Sequence, residues 1–69
     1  MFSRSPKLLS RTVLVNLISG NAISGVCVHE GRTALVLRGA TIHEPDAQPA
    51  AADGEVLIDR ANVDFLQLL

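Results

Sequence analysis

Two short stretches of the chain carry side chains that could do chemistry. In the first, Cys27 and His29 stand two residues apart, so a strand would place them on one face, as a nucleophile and its general base. The sequence supplies no third group to orient the histidine, and a buried thiol beside a turn histidine fits the same spacing. In the second, His43, Glu44 and Asp46 can bind metals, but structural zinc needs four closely placed ligands. We therefore expect no enzymatic activity, no metal site and no cofactor.

Four basic residues are the candidates for contact with an anion or with RNA. They are Arg4, Lys7, Arg11 and Arg60. Three of them precede the first acidic residue, Glu30, so charge is unevenly distributed along the chain. The formal net charge is −1, and the chain has two Phe but neither Trp nor Tyr. It therefore lacks both the basic field and the stacking aromatic residues that single-stranded nucleic acids favour.

Chain length limits the core that the protein can build. Its 69 residues predict one domain, spanning 1–69, and a domain of this size is only marginally stable alone. One cysteine cannot form an internal disulfide, so oligomerisation is the expected aid to stability. The chain has no apolar run near the roughly 20 residues of a membrane-spanning helix, so a membrane is not an expected partner.

Five strand patterns separated by turns follow a short helical pattern. Ser5 and Pro6 suit the cap and the first position of a helix over 5–10, which must dock Leu8 or Leu9. Strands are predicted over 12–17, 22–28, 33–38 with an extension to 42, 55–59 and 63–69. The segment 43–54 lacks alternation and is predicted to be a loop. These elements predict an all-β protein, a five-stranded SH3-like barrel with a short N-terminal helix.

Two motifs of this chain resemble those of the Sm-like family over about residues 5–69. The stretch VLVNLISGNAISGVCVHEGRTALVL is similar to the first motif, an apolar strand that ends in Leu-x-x-Gly and leads to a glycine in a bent strand. Its matching residues are Leu17, Gly20 and Gly25. The stretch GEVLIDRANVDFLQLL resembles the second motif, with matches at Ile58, Val63 and Leu66. The resemblance implies a strongly bent, five-stranded Sm-like barrel.

The resemblance also implies how subunits assemble. In Sm-like proteins the fourth strand of one subunit pairs with the fifth strand of its neighbour, which builds a ring. On this basis the expected interface residues are Val56, Ile58, Leu66 and Leu68. The facing of the last strand stays open. If Val63, Phe65 and Leu69 face the core, then Leu66 and Leu68 face the neighbour.

The chain departs from the family at the RNA pocket. That pocket uses an Asp and an Asn around the turn after strand two, and an Arg-Gly pair after strand four. Here Glu30 falls near the Asp position, while Ala34 or Leu35 falls near the Asn position. Asp59 and Arg60 stand where Arg-Gly is expected, so the arginine is displaced by one residue. Most of the RNA chemistry is therefore missing, although the ring scaffold is kept.

These observations lead us to expect a non-enzymatic structural subunit. It would form a homo-oligomeric ring, or bind as repeated copies on a larger particle. The chain is also similar to small Sm-like proteins of tailed bacteriophages, which implies a virion component such as a capsid-decorating or connector protein. Expected partners are the chain itself and other virion proteins, in the virion or the cytoplasm. An RNA-binding Sm-like regulator is the alternative, and a small hydrolase built on Cys27 and His29 is a third hypothesis.

Overall fold

The protein is a single antiparallel β-sheet, seen in a computed structural model that describes residues 7–69. Its elements are β1 (Thr12–Leu17), β2 (Ala22–Glu30), β3 (Ala34–His43), β4 (Ala50–Asp59), a 3₁₀ turn (Arg60–Asn62) and β5 (Val63–Leu68). The strand order is β4-β3-β2-β1-β5, so β4 and β5 are the two edges of an unclosed sheet. The predicted all-β class and the five strands are confirmed.

The sheet extends further than the sequence pattern predicts. β4 begins at Ala50, so the loop predicted over 43–54 is wrong in its second half. Ala50 and Ala51 pair with Ile42 and Thr41 of a long β3. Backbone hydrogen bonds to β3 hold this segment, and these need no alternation of apolar and polar side chains.

The described part of the predicted N-terminal helix is not helical. Leu9 and Ser10 form a turn, whereas Ser5 and Pro6 lie outside the described residues. Ser10 has a φ of 65°, which is left-handed backbone and not right-handed helix. Its N–H donates to the Cys27 carbonyl at 2.7 Å, and the Arg11 N–H donates to the Leu8 carbonyl at 2.9 Å, so a single turn is bound to β2 and no helix forms. The expectation that Leu8 or Leu9 must dock is confirmed for Leu8, which is buried.

One face of the sheet carries the core. Its buried members are Leu8, Val13, Val15, Ile23, Cys27, Leu35, Leu37, Ala40 and Ile58. They come from β1 to β4 and from the segment before β1, and the described residues include no buried polar or charged side chain. Burial of each large apolar side chain stabilises the fold by roughly 1.5–3 kcal/mol.

A line of glycines lets the sheet bend across β2, β3 and β4. At Gly25 the register of β2 against β3 shifts, and a Cβ there would lie 3.1 Å from the Arg38 carbonyl oxygen and 3.2 Å from Ala40 Cα. β3 and β4 shift register at Gly39, whose φ is +61°. Gly54 lies opposite this shift. Such bulges increase local twist and bend the strands that contain them.

The bend explains how a short segment can connect β4 and β5, which are the opposite edges of the sheet. Only the 3₁₀ turn joins β4 to β5, and a link of this length spans at most about 14 Å. Its two ends are anchored on different parts of the sheet. The Arg60 N–H donates to the Thr33 carbonyl at 2.8 Å, and the Ile18 N–H donates to the Asn62 carbonyl at 2.9 Å. The sheet therefore curls until the end of β4 lies near the start of β5.

The side chains of β5 that face the core are Leu66 and Leu68, which the sequence analysis expected at the interface with a neighbouring subunit. Leu66 and Leu68 are paired with Val15 and Val13, both fully buried, so they share the core face. Phe65 lies on the other face and is 53% exposed, which makes the facing with Phe65 inward wrong. The cause is a bulge. Asn16 pairs with Phe65 but Leu17 pairs with Val63, so one extra residue shifts the alternation within β5.

The close approach at Gly25 predicts that even a methyl group is not tolerated there. Gly25→Ala should lower the free energy of unfolding by about 1–3 kcal/mol, because the clash is with backbone atoms that have no rotamer to change. Urea unfolding at one fixed protein concentration measures this. Val28→Thr, at an exposed position of the same strand, is the control and should stay within about 0.5 kcal/mol of the wild type. An equally small change for Gly25→Ala would contradict the account of the bend.

Candidate functional site

Arg60 ties together the two loops where the resemblance places an RNA pocket. Its N–H donates to the Thr33 carbonyl at 2.8 Å, and its Nη1 donates to the Gly31 carbonyl at 3.0 Å. Asp59 caps the 3₁₀ turn by accepting a bond from the Ala61 N–H at 2.9 Å. We call this meeting of turn 31–33 with residues 59–61 the loop junction. Sequence reasoning located both loops, but it gave Arg60 no structural partner.

Glu30 places a carboxylate at the loop junction and holds the N-terminal segment there. Its Oε1 accepts a hydrogen bond from the Leu8 N–H at 3.0 Å, and this bond holds Leu8, whose side chain is buried in the core. The residues near the position of the family's pocket Asn, Ala34 and Leu35, cannot hydrogen-bond a base as that Asn does. Ala34 has no polar side-chain atom, and Leu35 is fully buried in the core. The junction carries two arginines, Arg32 and Arg60, beside the carboxylates of Glu30 and Asp59, so its formal charges balance and it has no positive excess that would attract phosphate.

The Cys27–His29 pair does not form a nucleophile and base. Cys27 is fully buried, and its Sγ donates to the main-chain carbonyl of His29 at 3.3 Å, not to the imidazole. Burial raises the pKa of the Cys27 thiol, the negative charge of Glu30 raises it further, and the Arg60 guanidinium opposes this in part. A thiol held neutral in the core is a poor nucleophile, since the thiolate is the reactive form.

The second stretch that could do chemistry spans the last residue of β3, His43, and the exposed loop that follows it. His43 Nε2 lies 3.1 Å from Ser24 Oγ of the neighbouring strand, so the imidazole has a partner within the sheet. Glu44 and Asp46 are exposed in the loop that follows. Within residues 7–69 the structure brings together no group of three or more His, Cys, Asp or Glu side chains that could hold a metal ion.

The four basic candidates do not form one described cluster. Arg4 lies outside the described residues, while Lys7 and Arg11 are exposed. Lys7 directly precedes Leu8, whose N–H is bound by Glu30, so its backbone lies close to the loop junction. Arg11 is placed by its carbonyl, which accepts a bond from the Cys27 N–H at 2.9 Å. Arg60 is half-buried and already engaged.

The residues expected at a subunit interface lie on the two edge strands, but they face inward. Ile58 is buried in the core, and Val56 and Leu66 are half-buried against it. Leu68 shares the core face and keeps 38% of its surface exposed. Apart from Leu68, these side chains mainly serve the core of their own chain.

Leu57 is the edge residue that sequence reasoning missed. It lies between Val56 and Ile58, points to the opposite face and is 71% exposed, more than any other large apolar residue described. A signal was present, because three consecutive apolar residues in a strand must place at least one of them on each face. Because the Arg60 N–H donates to the Thr33 carbonyl, antiparallel alternation turns the N–H and carbonyl of Leu57 to the free side of β4.

Comparison of the chain with models of known protein families gave no match, and neither did comparison with curated protein sequences. None of the helical structure in the described part of the chain is long and apolar enough to cross a membrane.

The raised pKa of Cys27 predicts a loss of stability at alkaline pH. Below the ordinary thiol pKa of 9.0, the folded and unfolded chains bind this proton equally. Above it the unfolded chain loses the proton first, so the free energy of unfolding falls as pH rises towards the folded-state pKa. Urea unfolding between pH 7 and 11 measures this fall, and Cys27→Ala supplies the control. The wild type should lose more stability than the variant over that range, and parallel pH profiles would contradict the assignment.

Proposed function

We propose that this protein is a non-enzymatic assembly subunit whose copies join through the two free edges of the sheet. The observation that carries the proposal is that β4 and β5 are both unpaired on their outer sides within the described residues. Each of these edge strands also exposes large apolar side chains. They are Leu57 on β4, and Phe65 and Leu68 on β5. Unpaired edges with exposed apolar residues are templates for pairing with another chain.

The two edges differ, which determines the kind of assembly. A contact between β4 of one copy and β5 of the next is head-to-tail, and such contacts generate a closed ring when the rotation closes. We propose a homo-oligomeric ring, or repeated copies on a larger particle. The short link between β4 and β5 and the glycine bend support a strongly bent SH3-like or Sm-like barrel as the subunit. The resemblance to small Sm-like proteins of tailed bacteriophages extends the proposal to a virion component, a capsid-decorating or connector protein.

An RNA-binding Sm-like regulator is the second candidate, and the loop junction is the observation that favours it. Arg60 holds the two loops of the expected pocket side by side. Against RNA binding stand the carboxylates of Glu30 and Asp59 and the apolar side chains of Ala34 and Leu35. We therefore propose self-assembly as the principal function.

Light scattering coupled to size exclusion tests the assembly proposal. At micromolar concentration the molar mass should be a multiple of the 7.3 kDa chain, because pairing removes unpaired edges and buries apolar surface. A monomer of 7.3 kDa across the whole concentration range would contradict it.

Fluorescence anisotropy with short uridine-rich and adenine-rich RNA oligomers separates the two candidates. The assembly proposal expects binding weaker than micromolar at physiological salt. Tight and sequence-selective binding would favour the RNA regulator, and Arg60→Lys, which keeps the charge but not the guanidinium fork, would then show whether Arg60 contributes.

A further inference from the structure

Polar side chains from four neighbouring strands lie on the outer face of the sheet, on the side away from the core. Two amides, a hydroxyl and an imidazole form this group, which we call the polar row: Asn16 on β1, Ser24 on β2, His43 on β3 and Gln67 on β5. Asn16 and Ser24 alternate along their strands with buried core residues, which puts them on the outer face. Gln67 and His43 lie in register with outer-face residues of the neighbouring strands, Leu14 and Ala22.

Two hydrogen bonds between strands hold the polar row in place. Asn16 Nδ2 donates to Gln67 Oε1 at 3.1 Å, and His43 Nε2 lies 3.1 Å from Ser24 Oγ. These bonds leave Asn16 Oδ1, Gln67 Nε2 and His43 Nδ1 available to a ligand. They also restrict side-chain rotation, so a ligand would have less side-chain freedom to remove on binding. The row therefore offers donors and acceptors in fixed positions.

Apolar side chains lie between and beside the two bonded pairs. Leu14 and Ala22 occupy the register positions between the pairs. At one end Phe65 lies opposite Asn16 and keeps 53% of its surface exposed. This part of the outer face thus combines an exposed aromatic ring with a small apolar floor and with polar atoms on both sides of that floor.

The charges around the polar row argue against an anionic ligand. Two acidic residues lie at its margins, Asp64 at the bulge beside Phe65 and Asp53 on β4. Arg38, further along the same face of β3, is already bound to Glu55. A phosphate or sulfate group would meet carboxylates here and no free cation among the described residues of the row. The charge distribution therefore favours a neutral ligand over a nucleic acid or another polyanion.

A neutral carbohydrate matches this combination of groups. A pyranose ring presents C–H groups on its faces and hydroxyl groups around its rim, and each hydroxyl both donates and accepts hydrogen bonds. The C–H face can lie on an aromatic ring, while the rim hydroxyls bond amide, hydroxyl and imidazole groups. Four strands spaced about 4.8 Å apart give a row of about 14 Å, which is longer than one sugar ring. The length therefore suits an oligosaccharide.

We infer that the outer face of β5, β1, β2 and β3 binds a neutral oligosaccharide of hexopyranose units. Phe65 stacks on one sugar ring, and the polar row bonds the hydroxyl groups of the chain. The site does not depend on the proposed self-assembly. Strand pairing at the β5 edge would add a strand beside Phe65 and leave the outer face open. Assembled copies would each keep the site, and several sites on one particle would bind a long glycan with avidity.

Fluorescence of a single introduced tryptophan tests the inference, since the chain contains no Trp. Phe65→Trp keeps an aromatic ring at the end of the polar row. Titration of this variant with cellohexaose, maltohexaose and mannohexaose should change its emission saturably with at least one of them, with a Kd on the order of 1 mM. Leu57→Trp is the matched control. Leu57 is 71% exposed on the outer face of β4 but lies opposite Val36, away from the row, so its emission should not respond.

A second substitution in the Phe65→Trp background tests the polar row. Asn16→Ala removes one amide and frees the other from its partner, so it should weaken sugar binding about tenfold. Asn62→Ala, at an exposed asparagine of the 3₁₀ turn, is the control and should leave binding unchanged. Circular dichroism confirms that each variant is folded.

Three results would overturn the inference. They are no saturable response to any of the three sugars, an equal response from Leu57→Trp, and a stronger response to heparin or to a uridine-rich RNA oligomer than to every neutral sugar. If Asn16→Ala fails to fold, amide chemical shifts of the wild-type protein decide. The sugar that binds should shift the N–H signals of Ser24, Phe65 and Gln67, and shifts confined to the loop junction would overturn the assignment.

Discussion

The close approach of β2 and β3 at Gly25 is the constraint on which the rest of the structure depends. Because a side chain there would meet backbone atoms of β3, only glycine lets the two strands bend together at this point. Gly39 continues the bend into β4. The curled sheet that results brings the end of β4 near the start of β5. Three residues then suffice to connect opposite edges, and Arg60 can bind the turn after β2.

The same curl leaves two edges without partners in the described chain, and neither is well protected. Proteins commonly blunt an edge strand with lysine, proline or an inward charge. β5 has none of these, and its only charged residue is Asp64 at the bulge. β4 carries three acidic residues: Asp53, which is exposed, Glu55, which forms an ion pair with Arg38, and Asp59, which caps the 3₁₀ turn. The proposed self-association through these edges would satisfy the unpaired backbone groups and cover the exposed leucines.

The sequence predicts the centre of the sheet better than its edges. The bounds of β1, the end of β4 at Asp59 and the start of β5 at Val63 agree with the structure, because alternation and turn residues are local signals. The first residues of β4 could not be predicted in this way, since Ala50 and Ala51 are held by pairing with β3 and not by their own propensity. The facing of Phe65 could not be decided from the sequence, because a single-residue bulge reverses the alternation and nothing in the local pattern indicates where it occurs.

For the candidate site too, the sequence predicted the local features but not the contacts that depend on the whole fold. The two loops that meet at Arg60 were identified through the family resemblance, but the bond to the Gly31 carbonyl depends on the curl of the whole sheet. Among the expected interface residues, Ile58 belongs to the core of its own chain. Leu57 carries the exposed apolar surface instead. That its backbone groups also face the free edge of β4 follows only from the hydrogen-bond register, which the sequence does not contain.

Amide hydrogen exchange at the sheet edges tests the assembly most directly. The bonds from the Arg60 N–H to Thr33 and from the Leu69 N–H to Thr12 fix the alternation, so the N–H groups of Leu57, Leu66 and Leu68 point away from the sheet. In the proposed assembly, strand pairing with another copy would supply their partners. Self-assembly predicts that these amides exchange as slowly as that of Leu35, which points from β3 to β4, and that dilution to the monomer abolishes their protection. Rapid exchange at all three in concentrated protein, with Leu35 still protected, would contradict pairing through these edges.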